Sequence, residues 1–141
     1  MAFVHGKGSY FSVDDASGTE RNLTTYLTEV SFPRDVDIAD TSVFGNTYKT
    51  GIPGLAGVTC SISGKYDSTA TSGPDVVLSG LLTATSTSTI KYGPEGSSSG
   101  KVRYTGEFWC TSYQVTGSIG DVVSFTAAFT LATNALTKDT F

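Results

Sequence analysis

The segment VVSFTAAFTLAT, residues 122–133, most tightly constrains what this chain can become. Val123, Phe125, Ala127, Phe129 and Leu131 alternate there with Ser124, Thr126, Ala128 and Thr130. A period of two sends the first set to one face of a strand and the second to the other. Such a strand has one apolar side to bury and one side of small neutral groups, as in an antiparallel sheet with one covered face. Segment 57–67, GVTCSISGKYD, repeats the logic, with Val58, Cys60 and Ile62 opposite Thr59, Ser61 and Ser63. A third long strand, KVRYTGEFWCTSYQVT (101–116), places Val102, Tyr104, Phe108 and Cys110 on one face. Strict alternation then puts Glu107, Trp109, Thr111 and Tyr113 on the other. Shorter strands are expected over 8–15 and 23–32, the second closed by Pro33, which cannot donate to a ladder.

One helix interrupts this pattern. In TSGPDVVLSGLLTATS (71–86), Pro74 suits a first turn and Asp75 lies where the helix dipole favours an anion. Val77, Leu78, Leu81 and Leu82 form one apolar stripe, which predicts a helix over about 74–85. GPEGSSSG (93–100) reads as a hairpin tip. Ser and Thr make up 40 of the 141 residues and Gly another 16, a mixture of strand and turn formers. The expected fold is a single mainly-β domain over 1–141, a β-sandwich or curved antiparallel sheets with one flanking α-helix.

Familiar chemistry is missing. With 9 basic residues, 13 acidic ones and a net charge of −4, the chain has no cationic footprint for gripping nucleic acid. No apolar run reaches the roughly 20 residues of a membrane span, so no membrane insertion is expected. The N-terminal segment lacks the pattern of a secretory signal, which points to synthesis and retention in a cytoplasm. A catalytic triad would have to use His5, the one histidine, and nothing directs a nucleophile toward it. Cys60 and Cys110 lack metal-ligand spacing and are read as free thiols or, alternatively, one bridge. Asp35, Asp37 and Asp40 lack the glycine and terminal Glu of a calcium loop and read as solvated acids. GIPGLAG lacks the Lys-Ser/Thr ending of a phosphate loop. No catalytic residue, cofactor or metal site is expected.

The segment TSVFGNTYKTGIPGLAG (41–57) remains to be explained. It carries Phe44 and Ile52 beside four glycines, Pro53 and Lys49, too long for a turn and too polar for a core strand. In its wider setting, DTSVFGNTYKTGIPGLAGVTCSISGKYD (40–67) resembles the central signature of phage tail tube proteins, the major tail proteins of long-tailed phages. The pattern is the Asp40–Thr41 lead, the Phe44–Gly45 pair, the Gly54–Leu55 step, then Gly64 and Tyr66–Asp67. The helix at Pro74, the hairpin at Gly93 and the two final strands follow in the family's order.

The resemblance implies subunits that form rings of six, stacked into a virion tail tube through which the genome passes. It implies self-association, with tape-measure, tail-terminator and tail-tip proteins as further partners, and assembly in the bacterial host cytoplasm. DNA would transit without specific binding. Residues 33–56 become a long assembly loop, with Asp40, Thr41, Phe44, Gly45, Tyr48, Lys49, Ile52 and Pro53 reaching the next ring. In this reading glycines let the loop bend, Pro53 stiffens its return, and Ser124, Thr126 and Thr130 line the lumen. Lys49, Lys65 and Lys101 should point away from the channel or into subunit contacts. The competing expectations are a loop whose Phe44 covers its own core, and a solvent-washed outer face for the last strand. Two rival functions stand beside the tail tube: a tube from a contractile machine, and a carbohydrate-binding or adhesin-like module using Trp109 and Tyr113 as a stacking platform.

Overall fold

The computed structural model describes residues 3–132 and 136–141; Thr133, the last residue of the alternating segment, lies outside them. Among the described residues, besides two single-turn 3-10 segments, nine strands and one α-helix follow in order: β1 (Tyr10–Asp14), β2 (Glu20–Asn22), β3 (Leu27–Ser31), β4 (Arg34–Asp40), β5 (Gly51–Lys65), α1 (Pro74–Leu82), β6 (Ser88–Gly93), β7 (Val102–Thr116), β8 (Ser124–Leu131) and β9 (Thr137–Thr140). All pairings are antiparallel, in the order β2-β1-β6-β7-β8-β5-β3, with β4 added to β5 and β9 to β7.

The sheet curls on itself. Phe32, immediately after β3 at one end of that order, stacks on Tyr92 of β6 at 5.8 Å and on Tyr104 of β7 at 6.0 Å. It also meets Phe108 edge-on at 5.7 Å, so the far end of the sheet returns to cover its other half. The interior between them holds Phe11 and Val13 of β1, Ile90 of β6, Phe108 of β7, and the inward faces of β5 and β8. This is the curved-sheet form of the expected architecture.

Alternation does what the sequence requires of it in β8, where Phe125, Ala127 and Phe129 are buried while Thr126 and Thr130 are exposed. Val123 lies outside the strand and is partly exposed. The helix is shorter than expected, ending at Leu82, and its buried stripe is Val77, Leu78 and Leu81 with Leu82 turned outward. Gly73 is the N-cap and Asp75 sits in the first turn. Asp75 also accepts a 2.9 Å hydrogen bond from the Tyr113 hydroxyl, which ties α1 to β7.

That contact exposes the main departure from strict alternation. β7 changes register against β8 between Cys110 and Ser112, leaving Thr111 as an extra residue whose hydroxyl donates to the Ala128 carbonyl. A one-residue bulge reverses every side chain beyond it. Tyr113 therefore turns inward and packs on Phe125, with ring centroids 6.0 Å apart, while Trp109 stays on the polar face. The two aromatic rings point to opposite sides, and the stacking platform drawn from unbroken alternation does not form.

Cys60 and Cys110 are both free. Both register with Phe129, one on each side of β8. Two strand spacings of about 4.8 Å separate them, beyond the reach of a bridge.

Candidate functional site: a projecting ribbon and a polar sheet face

Residues 34–57 form a two-stranded ribbon rather than a loop. β4 pairs with β5 from Arg34↔Val58 to Asp40↔Gly51, with a register shift between Val36 and Ile38. Pro53 stands opposite Ile38 beside that irregularity, the kind of strand position that tolerates a missing donor. The glycines have a different use from bending. A Cβ at Gly51 would run into Ile38 and come within 3.1 Å of the Ala39 carbonyl, so Gly51 lets the strands approach. Only Gly45, at φ +94°, needs the left-handed region in the ribbon.

The tip, 41–50, is built from its own hydrogen bonds. Asp40 Oδ1 accepts from the Ser42 amide at 2.8 Å, and the Ser42 hydroxyl accepts from the Thr50 amide at 2.8 Å. The Thr41 and Thr50 hydroxyls lie 2.8 Å apart, and Thr41 N–H donates to the Thr50 carbonyl at 3.0 Å. Asn46 Oδ1 accepts from the Val43 amide. The Ser42 amide holds the Asp40 carboxyl below the usual range. Asp40–Thr41 is thus the closure of a turn, and a sequence signature acquires a mechanical reason.

What the ribbon lacks is a core. Every residue of β4 and of 51–57 is exposed. Val36, Ile38, Ile52 and Leu55 on its strands and Val43 and Tyr48 at its tip are all open to solvent, and Phe44 is fully so. Phe44 does not cover this chain's own core. A two-stranded ribbon with uncovered apolar side chains is marginal alone and calls for a partner.

The second surface is the polar face of the curved sheet. Thr126 and Thr130 of β8 are exposed and Ser124 is half-buried. Register places Ser63, Ser61 and Thr59 of β5 beside Thr126, Ala128 and Thr130, and Gln114, Ser112 and Trp109 of β7 on their other side. Glu29 and Ser31 of β3 extend the same rows. Lys65 registers with Ser124 and so lies at one end of this face rather than away from it. Apart from the Glu29 carboxylate and the Trp109 ring the face is hydroxyl, amide and methyl groups, with a hollow of about 290 Å³ between Glu29, Ser63, Ser112 and Thr126.

The remaining sequence candidates have local roles. His5 Nδ1 accepts from the Lys7 amide at 3.1 Å in an exposed turn. Asp35, Asp37 and Asp40 are exposed along β4, and among the described residues no group of three His, Cys, Asp or Glu is placed to hold a metal. Among the described residues no helix is long and apolar enough to cross a membrane. Gly64 and Asp67 of the signature are structural. A Cβ at Gly64 would collide with the Tyr26 carbonyl and Leu27 where β3 is irregular. Asp67 accepts from the Thr69 amide at 2.7 Å, and its own carbonyl takes the Asp75 amide at 3.3 Å, leading the chain into α1.

No family model and no curated protein matches the sequence. Solved structures match over nearly the whole chain. The tail of an empty gene transfer agent particle with C6 symmetry is 16% identical over 97% of this chain and 99% of that one, with a TM-score of 0.79. The SPP1 tail tube is 7% identical over 99% of this chain and 80% of that one, with a TM-score of 0.77. A chain of the PVC sheath-tube complex, from an extracellular contractile injection system in its extended state, is 12% identical over 99% and 93%, with a TM-score of 0.68. This chain has their fold.

Proposed function

We propose that this protein is a non-enzymatic tail tube subunit, whose copies form rings that stack into the conduit for a phage genome. One observation carries the reading: a paired ribbon with exposed apolar side chains and no cover of its own extends from the curved sheet. The shared fold with tail and tube chains supports it, and the C6 symmetry of one neighbour supports six copies per ring. The Trp109–Tyr113 surface offers no support for the carbohydrate alternative, because the bulge separates the two rings.

The sheet supplies the means of closing a ring. β3, β5, β8 and β7 alternate in direction. β6 covers β7 only as far as Phe108, and β3 ends the strand order at the other side. A rotated copy therefore presents its β3 antiparallel to the second half of β7, satisfying backbone groups at both edges. The polar face then lines a lumen. Its hydroxyls give a phosphate backbone no run of cations to bind, with Glu29 countering Lys65. Rings contact through the ribbon, and a head-to-tail contact of that type propagates without closing. Tape-measure, terminator and tip proteins complete the tail, which is assembled in the host cytoplasm.

Negative-stain microscopy of concentrated protein beside a Phe44→Ala variant tests the reading. Hollow rods from the parent and unstacked rings from the variant are the expected result. Monodisperse monomers of the parent at every concentration would overturn it.

A further inference from the structure

A second apolar cluster lies far from the ribbon. The turn joining β7 to β8 exposes Val115, Ile119, Val122 and Val123, with Ile119 fully in solvent. The turn is a defined one: Gly120 takes φ +91°, and the Ser118 hydroxyl donates to Asp121 at 3.1 Å. Its place relative to the ribbon follows from register. Thr116 of β7 pairs with Ser124 of β8, and Ser124 pairs with Lys65, the last residue of β5. The ribbon is the other end of that strand, beginning at Gly51. The two clusters thus cap opposite ends of one 15-residue strand, about 46 Å apart at 3.3 Å per residue.

They also match in character. The ribbon tip, 41–50, has Val43, Phe44 and Tyr48 exposed and Lys49 as its one charge. The turn, 115–123, has its four exposed aliphatics and Asp121 as its one charge. Each exposes a cluster of apolar side chains beside a single charge, of opposite sign.

We infer that the β7–β8 turn is the receiving surface for the ribbon tip of a second copy of this chain, with Phe44 seated among Ile119, Val122 and Val115 and Lys49 facing Asp121. This rests on the ribbon being the stacking element and names the surface it stacks on. Complementary ends on one rigid strand make the contact heterologous: each copy offers a tip at one end and a seat at the other.

Cysteine cross-linking tests it without requiring long tubes. The native thiols interfere little, since burial pushes Cys60 up to about 12 and Cys110 up to about 11, leaving few thiolates at neutral pH. Thr47→Cys and Thr116→Cys variants, which place thiols at exposed positions of the tip and of the turn and keep Phe44 and Ile119, are mixed and treated with a short bis-maleimide. Linked dimers in the mixture, absent from either variant alone, are expected. Links within the Thr47→Cys variant alone, or none in the mixture, would overturn the assignment. Lys49→Asp or Asp121→Lys in this background should each reduce the yield about two- to five-fold, the worth of an exposed pair, and together restore it. Microscopy of the parent separates the two ideas. Rods without a link between 47 and 116 leave the tube standing and sink this contact; links without rods or rings do the reverse.

Discussion

β5 belongs to two regions at once, and the contrast between its halves is instructive. From Val58 to Gly64 it alternates buried and outward residues between β3 and β8, and its apolar side chains end in the core. From Gly51 to Gly57 it pairs only with β4 and buries nothing. The hydrogen-bonded geometry is continuous, so backbone pairing alone does not make a body. What differs is whether anything stands over the face. Mutations in the two halves should therefore report on different quantities, stability in one and association in the other.

The largest effect is expected from Phe108→Ala, which empties the centre where Phe32, Ile90 and β8 meet. The loss should be about 3–5 kcal/mol of unfolding free energy in urea titration. Phe44→Ala, an equally large truncation, should change monomer stability by less than about 0.5 kcal/mol while abolishing stacking. A comparable loss of monomer stability at both sites would erase the distinction. Glycines sharpen it next. Gly64→Ala forces a Cβ against the Tyr26 carbonyl and Leu27 and should cost about 1–3 kcal/mol, whereas a Cβ at Gly57 meets nothing within 4 Å and should be neutral. Tyr113→Phe removes the hydroxyl that joins β7 to Asp75 and should cost about 1 kcal/mol, read as a shift in the urea midpoint.

The smallest effect is a pH dependence confined to the body. Partial burial works against the charge on Asp15, but hydrogen bonds from Ser17, Thr19 and Arg21 prevail and hold its carboxyl down at about 2. A depressed folded value contributes stability that is fully present above the unfolded carboxylate range and is lost as pH falls toward 2. Asp15→Asn should flatten the acid limb of thermal stability and leave ribbon-dependent association at neutral pH unchanged.

Where the sequence was explicit, it was explicit about covered faces. The alternation of β8 and of the second half of β5 identified their buried sides, and Pro74 with Asp75 located the start of α1. It was silent where burial does not operate. β4 alternates only briefly, Val36 and Ile38 against Asp35 and Asp37, and residues 51–57 are rich in glycine without alternation; with neither side covered within this chain, both read as loop although the backbone pairs. The bulge at Thr111 was equally hidden. One extra residue changes no propensity, yet it sent Tyr113 inward and separated it from Trp109. The Asp40–Thr41, Gly64 and Asp67 positions were recognisable as a pattern before their reasons were visible: a turn closed by side chains, a tight approach between strands and a lead into the helix.

The unbroken course of β5 also determines how load enters the molecule. A pull on the ribbon is directed along the strand's own axis into the sheet, where seven residues register with β8 and four of the same seven also with β3. Those ladders resist sliding together, as fibres in a glued lap joint do, whereas a ribbon hinged through a loop would peel its anchoring bonds one after another. Tension carried this way stays in the backbone of a continuous element and bypasses the side-chain core. A stack of such subunits could then flex at the contacts between copies while each body kept its shape.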